Sequence, residues 1–526
     1  MSGRSVVPPP SEFNFAGFLL ARNQAHPDRI AYVDDTGALS YGELGKRIRR
    51  FAASLHALGL RREERLLLLA YDTVDWPVAF LGALYAGVVP VTANTLLTPD
   101  DYAYMLDHSR SRAVLVSGAL LPALKQAMER GHHEVDRIIV SQPSGALEPG
   151  MRDFAGLLAG APHERAMAKT HAEEAAFWLY SSGSTGKPKG AVHTHANPYW
   201  TDVLYAQNIL QLTPDDVVFS AAKLFFAYGL GNALTFSLSA GAKTILMAER
   251  PTPAAVFKRL VQGRATVFFG VPTLYAAMLA APDLPGRSEV AMRLAISAGE
   301  ALPTNIAERF MAHFGCDLLD GIGSTEMLHI FLSNRRGDVR LGSTGKPVPG
   351  YDIELRGENG HPVGPGEIGD LFVRGPSSAL MYWANREKTR ATFQGAWTHS
   401  GDKYVRDADG YYVYSGRGDD MLRVSGQYVS PFEVEAALMR HTAVLEAAVI
   451  GHADADGLTK TKAYVVLKPG HAAGHTLEEE LKTFVKDKLA PFKYPRYVEF
   501  IGELPKTATG KIQRFKLRDL DKAGAH

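Results

Sequence analysis

From residue 65 to about residue 300 the chain alternates between two hydrophobic periods. Short aliphatic or β-branched runs at 65–71, 112–117, 137–141, 217–221, 242–247, 266–271 and 294–297 predict strands. Between them, stretches such as 253–262 and 272–279 carry apolar residues three and four apart and predict amphipathic helices. Strand–helix alternation predicts parallel sheets covered by helices, an α/β fold. Ligands in such folds sit beyond the carboxyl ends of strands, so the loops leaving these runs are where chemistry is expected. The run Ala175-Ala176-Phe177-Trp178-Leu179 is apolar throughout and predicts a buried strand. Residues 303–314 predict a helix, with Pro303 at its start, Ile306, Phe310 and Phe314 four apart, and Gly315 as terminator. Residues 316–319 then read as a short strand that delivers the chain to the segment 320–326, for which a simple glycine-rich turn is the bland reading.

Beyond Gly342 the pattern changes to glycine, proline and short aromatic strands, a β-rich subdomain. The last hundred or so residues read as a compact α+β unit. Ser430-Pro431-Phe432-Glu433 and Thr476-Leu477-Glu478-Glu479 have the form of capping boxes opening two helices. Leu477, Leu481, Phe484 and Leu489 make the core stripe of the second, with Lys482, Lys486 and Lys488 on its solvated side. Strands are expected at 447–450, 463–467 and 497–501. The expected division is a large domain over 1–418 and a small one over 419–526.

A length of 526 residues fits more than one domain, and 46% hydrophobic with 21% charged residues is ordinary for a globular chain. A net charge of +1 gives no reason to expect nucleic acid or a membrane surface as partner. Asp72, Asp75 and Pro77 interrupt the most apolar stretch, so no membrane span is expected. The N-terminus has no signal-peptide core, and the single cysteine, Cys316, excludes an intrachain disulfide and suits a reducing compartment. A cytoplasmic location is expected.

After the buried strand comes Tyr180-Ser-Ser-Gly-Ser-Thr-Gly-Lys-Pro-Lys-Gly190. Its glycines admit close backbone approach to a ligand, Ser181, Ser182, Ser184 and Thr185 offer hydroxyl donors, and Lys187 and Lys189 add charge. That composition suits a polyphosphate; the bland alternative is a polar surface turn. It is not a Walker loop, because Ser181 stands where the first glycine belongs and Pro188 follows Lys187. Asp320-Gly321-Ile322-Gly323-Ser324-Thr325-Glu326 reads as a second phosphate loop, with Glu326 placed to hold Mg²⁺. Ser297-Ala298-Gly299-Glu300, Ser400-Gly401-Asp402, Gly416 to Gly426 and Leu504 to Arg514 are further loops of distinctive composition.

Together these strings resemble the adenylate-forming superfamily of acyl- and aryl-CoA ligases, luciferases and peptide-synthetase adenylation domains. Nearly the whole chain from about Phe13 is most similar to bacterial benzoate–CoA ligases. The resemblance implies an ATP-dependent ligation of an aromatic acid, benzoate, to coenzyme A through an acyl-adenylate, releasing pyrophosphate and AMP. It implies Mg²⁺ as cofactor and benzoate, ATP and CoA as partners; the sequence leaves the oligomeric state open, with a homodimer as the candidate assembly. By the same resemblance Lys511 is the catalytic lysine, Thr325 meets the α-phosphate, and Glu300 lies beside adenine. Asp320, Gly321, Asp402, Arg417 and Arg423 complete the nucleotide site. Asp419 is the hinge about which the small domain turns between half-reactions, and Gly426 and Lys493 are CoA contacts. Phe226, Ala227, Tyr228, Ile322 and His329 line the acyl pocket, although packing in the core is the bland reading for Phe226, Ala227, Tyr228 and His329. The chain ends at His526 with no carrier domain, which disfavours a peptide-synthetase module. A CoA ligase for another aryl, alicyclic or medium-chain acid, and a non-catalytic nucleotide binder, are the rival readings. Met381 departs from the glycine that relatives often have before Tyr-Trp.

Overall fold

The structure is a computed structural model and describes residues 6–161, 164–181, 187–418, 420–424, 427–454, 459–489, 493–506 and 512–523. It divides into two compact units, the first holding 1–302, 306–353 and 373–399, the second 303–305, 354–372 and 400–526. The second takes in part of the β-rich segment as well as the C-terminal residues.

Two large sheets fill the first unit. In the nine-stranded sheet, Ile30–Asp34, Lys243–Ile245, Val217–Ser220, Val267–Gly270, Leu294–Ser297 and Asp317–Gly323 run parallel. In the eight-stranded sheet, Ala175–Ser181, Val89–Thr92, Arg65–Leu69, Ala113–Ser117, Arg137–Ser141 and Met151–Asp153 are parallel. Lys189–Thr194 and then Met381–Tyr382 add antiparallel at one edge. The central strands are buried along their length except at Arg65, which is why they appear in the sequence as apolar runs rather than alternations. Each expected strand between 65 and 297 ends within two residues of its observed limits.

Helices pack on both sheets as their periodicity requires. Pro253–Gln262 has Pro253 in its first turn and the Thr252 side chain accepting from Ala255 N. Thr304–Phe314 buries Ala307, Phe310 and Phe314. Among the described residues two stretches, Asp202–Leu210 and Gly231–Phe236, wind as π-helices. Nothing in the side-chain pattern announces them.

Residues 320–323 are not a turn. They continue the strand Asp317–Gly323, and Gly321 and Ile322 pair antiparallel with Ser333 and Leu332. Glycine is needed there for close approach, since a Cβ on Gly323 would lie 2.4 Å from the His329 carbonyl oxygen.

In the second unit, Val444–Ala453, Thr459–Leu467 and Tyr497–Phe500 form a three-stranded sheet carrying the helices Pro431–Leu438, His475–Lys486 and Arg514–Ala523. Its core joins Val434, Leu438, Val449, Val465, Leu481 and Val485. Ser430 caps its helix as expected, accepting from Glu433 N at 3.2 Å, but the Glu433 carboxylate turns to Lys493 instead of closing the box. Thr476 caps nothing among the described residues: the helix starts at His475 after Gly474, and Glu479, the glutamate of the expected box, pairs with Lys482 at 2.9 Å. A salt bridge one turn along the helix outcompetes the reciprocal cap.

Candidate active site

The first phosphate-loop stem forms as its composition requires. Ala175–Ser181 pairs with Lys189–Thr194 up to the register Ser181↔Lys189, which sets Ser181, at the carboxyl end of its strand, opposite Lys189. Ser182, Ser184 and Thr185 lie outside the described residues. Ser181 Oγ is buried without a hydrogen-bond partner among the described residues. Lys189 Nζ lies 4.7 Å from the centre of the Tyr382 ring, within the range of a cation–π contact.

Thr325 and Glu326 follow the strand Asp317–Gly323 of the other sheet, and three contacts tie them to the first stem and to the segment 379–382 at its edge. The Tyr382 hydroxyl donates to Glu326 Oε1 at 2.6 Å, and Ala379 N donates to the Glu326 carbonyl at 2.7 Å. His193, on the strand Lys189–Thr194, places Nε2 2.9 Å from the Thr325 carbonyl oxygen. Burial pushes the His193 imidazole down to about 4, against the opposing pull of Asn197, Thr325 and Glu326. Tyr382 therefore touches both expected phosphate-binding segments: its ring meets Lys189 and its hydroxyl meets Glu326.

Three further residues of the expected loops lie on or just after two adjacent parallel strands, Leu294–Ser297 and Asp317–Gly323. Ser297 and Asp320 are register partners on neighbouring parallel strands, and Glu300 follows Ser297 across Gly299, whose φ of +88° is a left-handed conformation that favours glycine. Thr273 Oγ1 donates to Glu300 Oε2 at 2.7 Å. Ser297 Oγ, Glu300 Oε1 and Asp320 Oδ1 are all buried with no partner among the described residues. Burial pushes the Asp320 carboxyl well above the carboxylate range. Buried polar atoms are normally satisfied, so this cluster of unmet oxygens suits a ligand with hydrogen-bond donors.

The residues expected in the acyl pocket come together in part. His329 is 2% exposed. Its ring centre is 5.6 Å from that of Tyr228 and 4.5 Å from that of Phe236, and its Nε2 is 3.0 Å from Asn232 Oδ1. Burial pushes it down to about 3, so the ring is neutral. Tyr228 donates to the Ile296 carbonyl at 3.1 Å. Ala227 is buried in the main core with Leu224, Leu230 and Leu328, while Phe226 is half-buried against Phe225. Ile322 is half-buried in the strand beside these residues, one position before Gly323.

In the second unit, Asp402 and Arg417 are register partners in an antiparallel pair, with Nη1 3.1 Å from Oδ1. Gly401 has φ +79°, and its carbonyl accepts from Gly418 N. Lys493 forms an ion pair with Glu433 at 2.6 Å. Asp419, Gly426, Lys511 and the Arg423 side chain lie outside the described residues.

Sequence reasoning missed Tyr382, His193 and Asn232. Tyr382 was within reach, beside the anomalous Met381. That methionine is on an edge strand, 38% exposed and with no left-handed φ, so the backbone makes no demand for glycine there. Asn232 lies in a π-helical turn, with no local signal to mark it.

The donor set also fits the implied magnesium. Among the described residues no group of three or more His, Cys, Asp or Glu side chains is placed to hold a metal. Mg²⁺ is typically held by one or two carboxylates together with substrate phosphates, and a single glutamate at the end of the second expected phosphate segment, joined through Tyr382 to the first, matches that pattern.

Comparison with known proteins points the same way. The model of the AMP-binding enzyme family matches residues 19–383, and that of the AMP-binding enzyme C-terminal domain matches 433–511. The chain is 53% identical to a benzoate–CoA ligase of Thauera aromatica, over 98% of this chain and 99% of that one. It is 46% identical to a 4-hydroxybenzoate–CoA/benzoate–CoA ligase of Rhodopseudomonas palustris, over 98% and 96%. Among solved structures, a benzoate CoA ligase from Burkholderia xenovorans LB400 superposes with a TM-score of 0.90 at 61% identity, covering 96% of this chain and 100% of that one.

Proposed function

The chain belongs to the AMP-binding enzyme family, and from that membership we propose that it is an AMP-forming acid–thiol ligase joining benzoate to coenzyme A. A benzoate oxygen attacks the α-phosphorus of ATP, the bond to the β-phosphate oxygen breaks, and pyrophosphate leaves with benzoyl-AMP formed. The CoA thiolate then attacks the acyl carbon, and AMP departs with the bonding electrons. Negative charge spreads over carboxylate and phosphate oxygens in the first step, so fixed donors and cations lower its barrier.

The observation that carries this reading is Tyr382 between Lys189 and Glu326, because it gathers a cation and a carboxylate from the two loop systems to one place. Lys189 and the loop before it bind the β- and γ-phosphates, and Thr325 binds the α-phosphate. Ser181, Glu300, Asp320 and Gly321 hold the nucleotide, and Asp402, Arg417 and Arg423 its ribose and phosphate. Glu326 holds Mg²⁺, which when bound offsets phosphate charge. Phe226, Ala227, Tyr228, Ile322 and His329 form the acyl wall. Lys511 bridges carboxylate and α-phosphate in adenylation. A small domain over 419–526 turns at Asp419 between the half-reactions, bringing Gly426 and Lys493 to CoA. The enzyme works as a cytoplasmic homodimer, and its sole cysteine suits a reducing compartment.

Incubating purified protein with ATP, Mg²⁺, CoA and a panel of benzoate, hydroxybenzoates, cyclohexane carboxylate and medium-chain acids, with AMP and pyrophosphate as readouts, tests the proposal. Benzoate should support the highest kcat/KM. Production of ADP would refute the adenylate route, and preference for an alicyclic or medium-chain acid would refute the substrate.

A further inference from the structure

Residues 222–226, the turn leading into the proposed acyl wall, have no strand partner, yet their backbone is held at several points. Some of the bonds are local. Ser220 Oγ donates to the Ala222 carbonyl at 3.0 Å, Phe226 N to the Lys223 carbonyl at 3.0 Å, and Leu230 N to the Phe226 carbonyl at 2.8 Å. Lys223 Nζ reaches the Glu249 carbonyl at 2.7 Å.

Two bonds come from the other sheet. Leu224 N donates to the Asp72 carboxylate, at 3.1 and 3.3 Å from its two oxygens. Thr92 Oγ1 donates to the Phe225 carbonyl at 3.1 Å. Asp72 follows the strand Arg65–Leu69, and Thr92 ends the neighbouring parallel strand Val89–Thr92. Both side chains are buried, at 4% and 1% exposure. A buried carboxylate is a costly way to satisfy one backbone N–H. Burial pushes Asp72 up to about 6, with Lys223 opposing. Plain packing between two sheets would be served as well by apolar side chains.

We propose that Asp72 and Thr92 are positioning residues for substrate selection: together they clasp the backbone at Leu224 and Phe225 from the eight-stranded sheet. The clasp sets how far Phe226, Ala227 and Tyr228 stand into the pocket, and so which acids fit. The inference rests on reading 226–228 as the acyl wall.

Thr92→Val keeps the side-chain shape and removes the donor, whereas Thr92→Ser keeps the donor. Asp72→Asn keeps an acceptor for Leu224 N, and Asp72→Leu does not. For each variant, kcat and KM for benzoate, KM for ATP, kcat/KM for propionate and the melting temperature are measured. Loss of one such hydrogen bond should raise the benzoate KM about 3- to 10-fold, leaving ATP KM and propionate kcat/KM within about twofold. Thr92→Ser should restore the wild-type value, and Asp72→Asn should fall closer to wild type than Asp72→Leu. Unchanged benzoate KM in folded Thr92→Val and Asp72→Leu would overturn the clasp, as would an equal loss on propionate. Ala227→Leu, measured alongside, separates the two ideas: if it lowers kcat/KM for benzoate and propionate alike, the wall reading fails whatever the clasp variants do.

Discussion

Replacing Ala227 with leucine gives the sharpest test of the acyl wall, because the two readings of this residue predict different losses. Ala227 is 9% exposed and belongs to the same core cluster as Leu224, Leu230 and Leu328. Leucine adds three carbons at a position with no solvent to receive them, and overpacking of this kind costs about 1–3 kcal/mol. If the added carbons enter the acyl pocket, the cost falls on binding the benzoate transition state, about 5- to 150-fold in kcat/KM. Propionate, which need not reach the wall, should lose little. If they enter the core, the folded state bears the cost, and the melting temperature drops by roughly 2–4 °C per kcal/mol for a domain of a few hundred residues. All acids then suffer alike. Coupled AMP-release assays with benzoate and propionate, together with a thermal melt, distinguish these outcomes. A fallen melting point with equal loss on both acids would refute the pocket assignment.

Three further tests address other parts of the proposal. Lys511→Ala should reduce benzoate-dependent pyrophosphate exchange by about 10²–10³ while largely sparing thioester formation from added benzoyl-AMP; equal damage to both steps would remove Lys511 from its role. Asp419→Pro should do the opposite, because a fixed φ restricts a hinge, and the next residue, Asp420, is already tied to Arg518 at 3.0 Å; full activity in both half-reactions would exclude a hinge there. His195 accepts from Phe15 N at Nδ1 and is pushed by burial down to about 4. The unfolded chain then binds the extra proton between pH 6.5 and 4, and stability falls as pH drops through that window, by about 2 kcal/mol between pH 7 and 5. Asp72 and Asp202, raised by burial to about 6, act in the opposite sense but equally in wild type and variant. Denaturant melts of His195→Asn should therefore show a shallower loss from pH 7 to 5 than wild type, and parallel curves would contradict the assignment.

How much of this could be read beforehand depended on whether the determining contacts are local. The parallel strands were legible because burial on both faces leaves an apolar run that water-facing segments do not show. The phosphate-loop string was legible for a similar reason: its glycines, hydroxyls and lysines are adjacent in sequence. Residues 320–323 misled because two glycines in four residues suggest a turn, whereas here they permit the close approach of Ile330 and the His329 backbone.

The residues that bind the site together were harder to see for a different physical reason. Tyr382 reaches Glu326 across 56 positions, and only the edge register Tyr382↔Ala191 brings it there. Asp72 looked like a mere interruption of an apolar stretch, yet its partner Leu224 is 152 residues away, in the turn that follows the strand Val217–Ser220 of the other sheet. Moving a strand's register by one residue would turn Tyr382 to the opposite face and leave its sequence neighbours unchanged. Local composition therefore marks which segments carry the chemistry, while the pairing of those segments depends on register between distant strands, which no window of sequence contains.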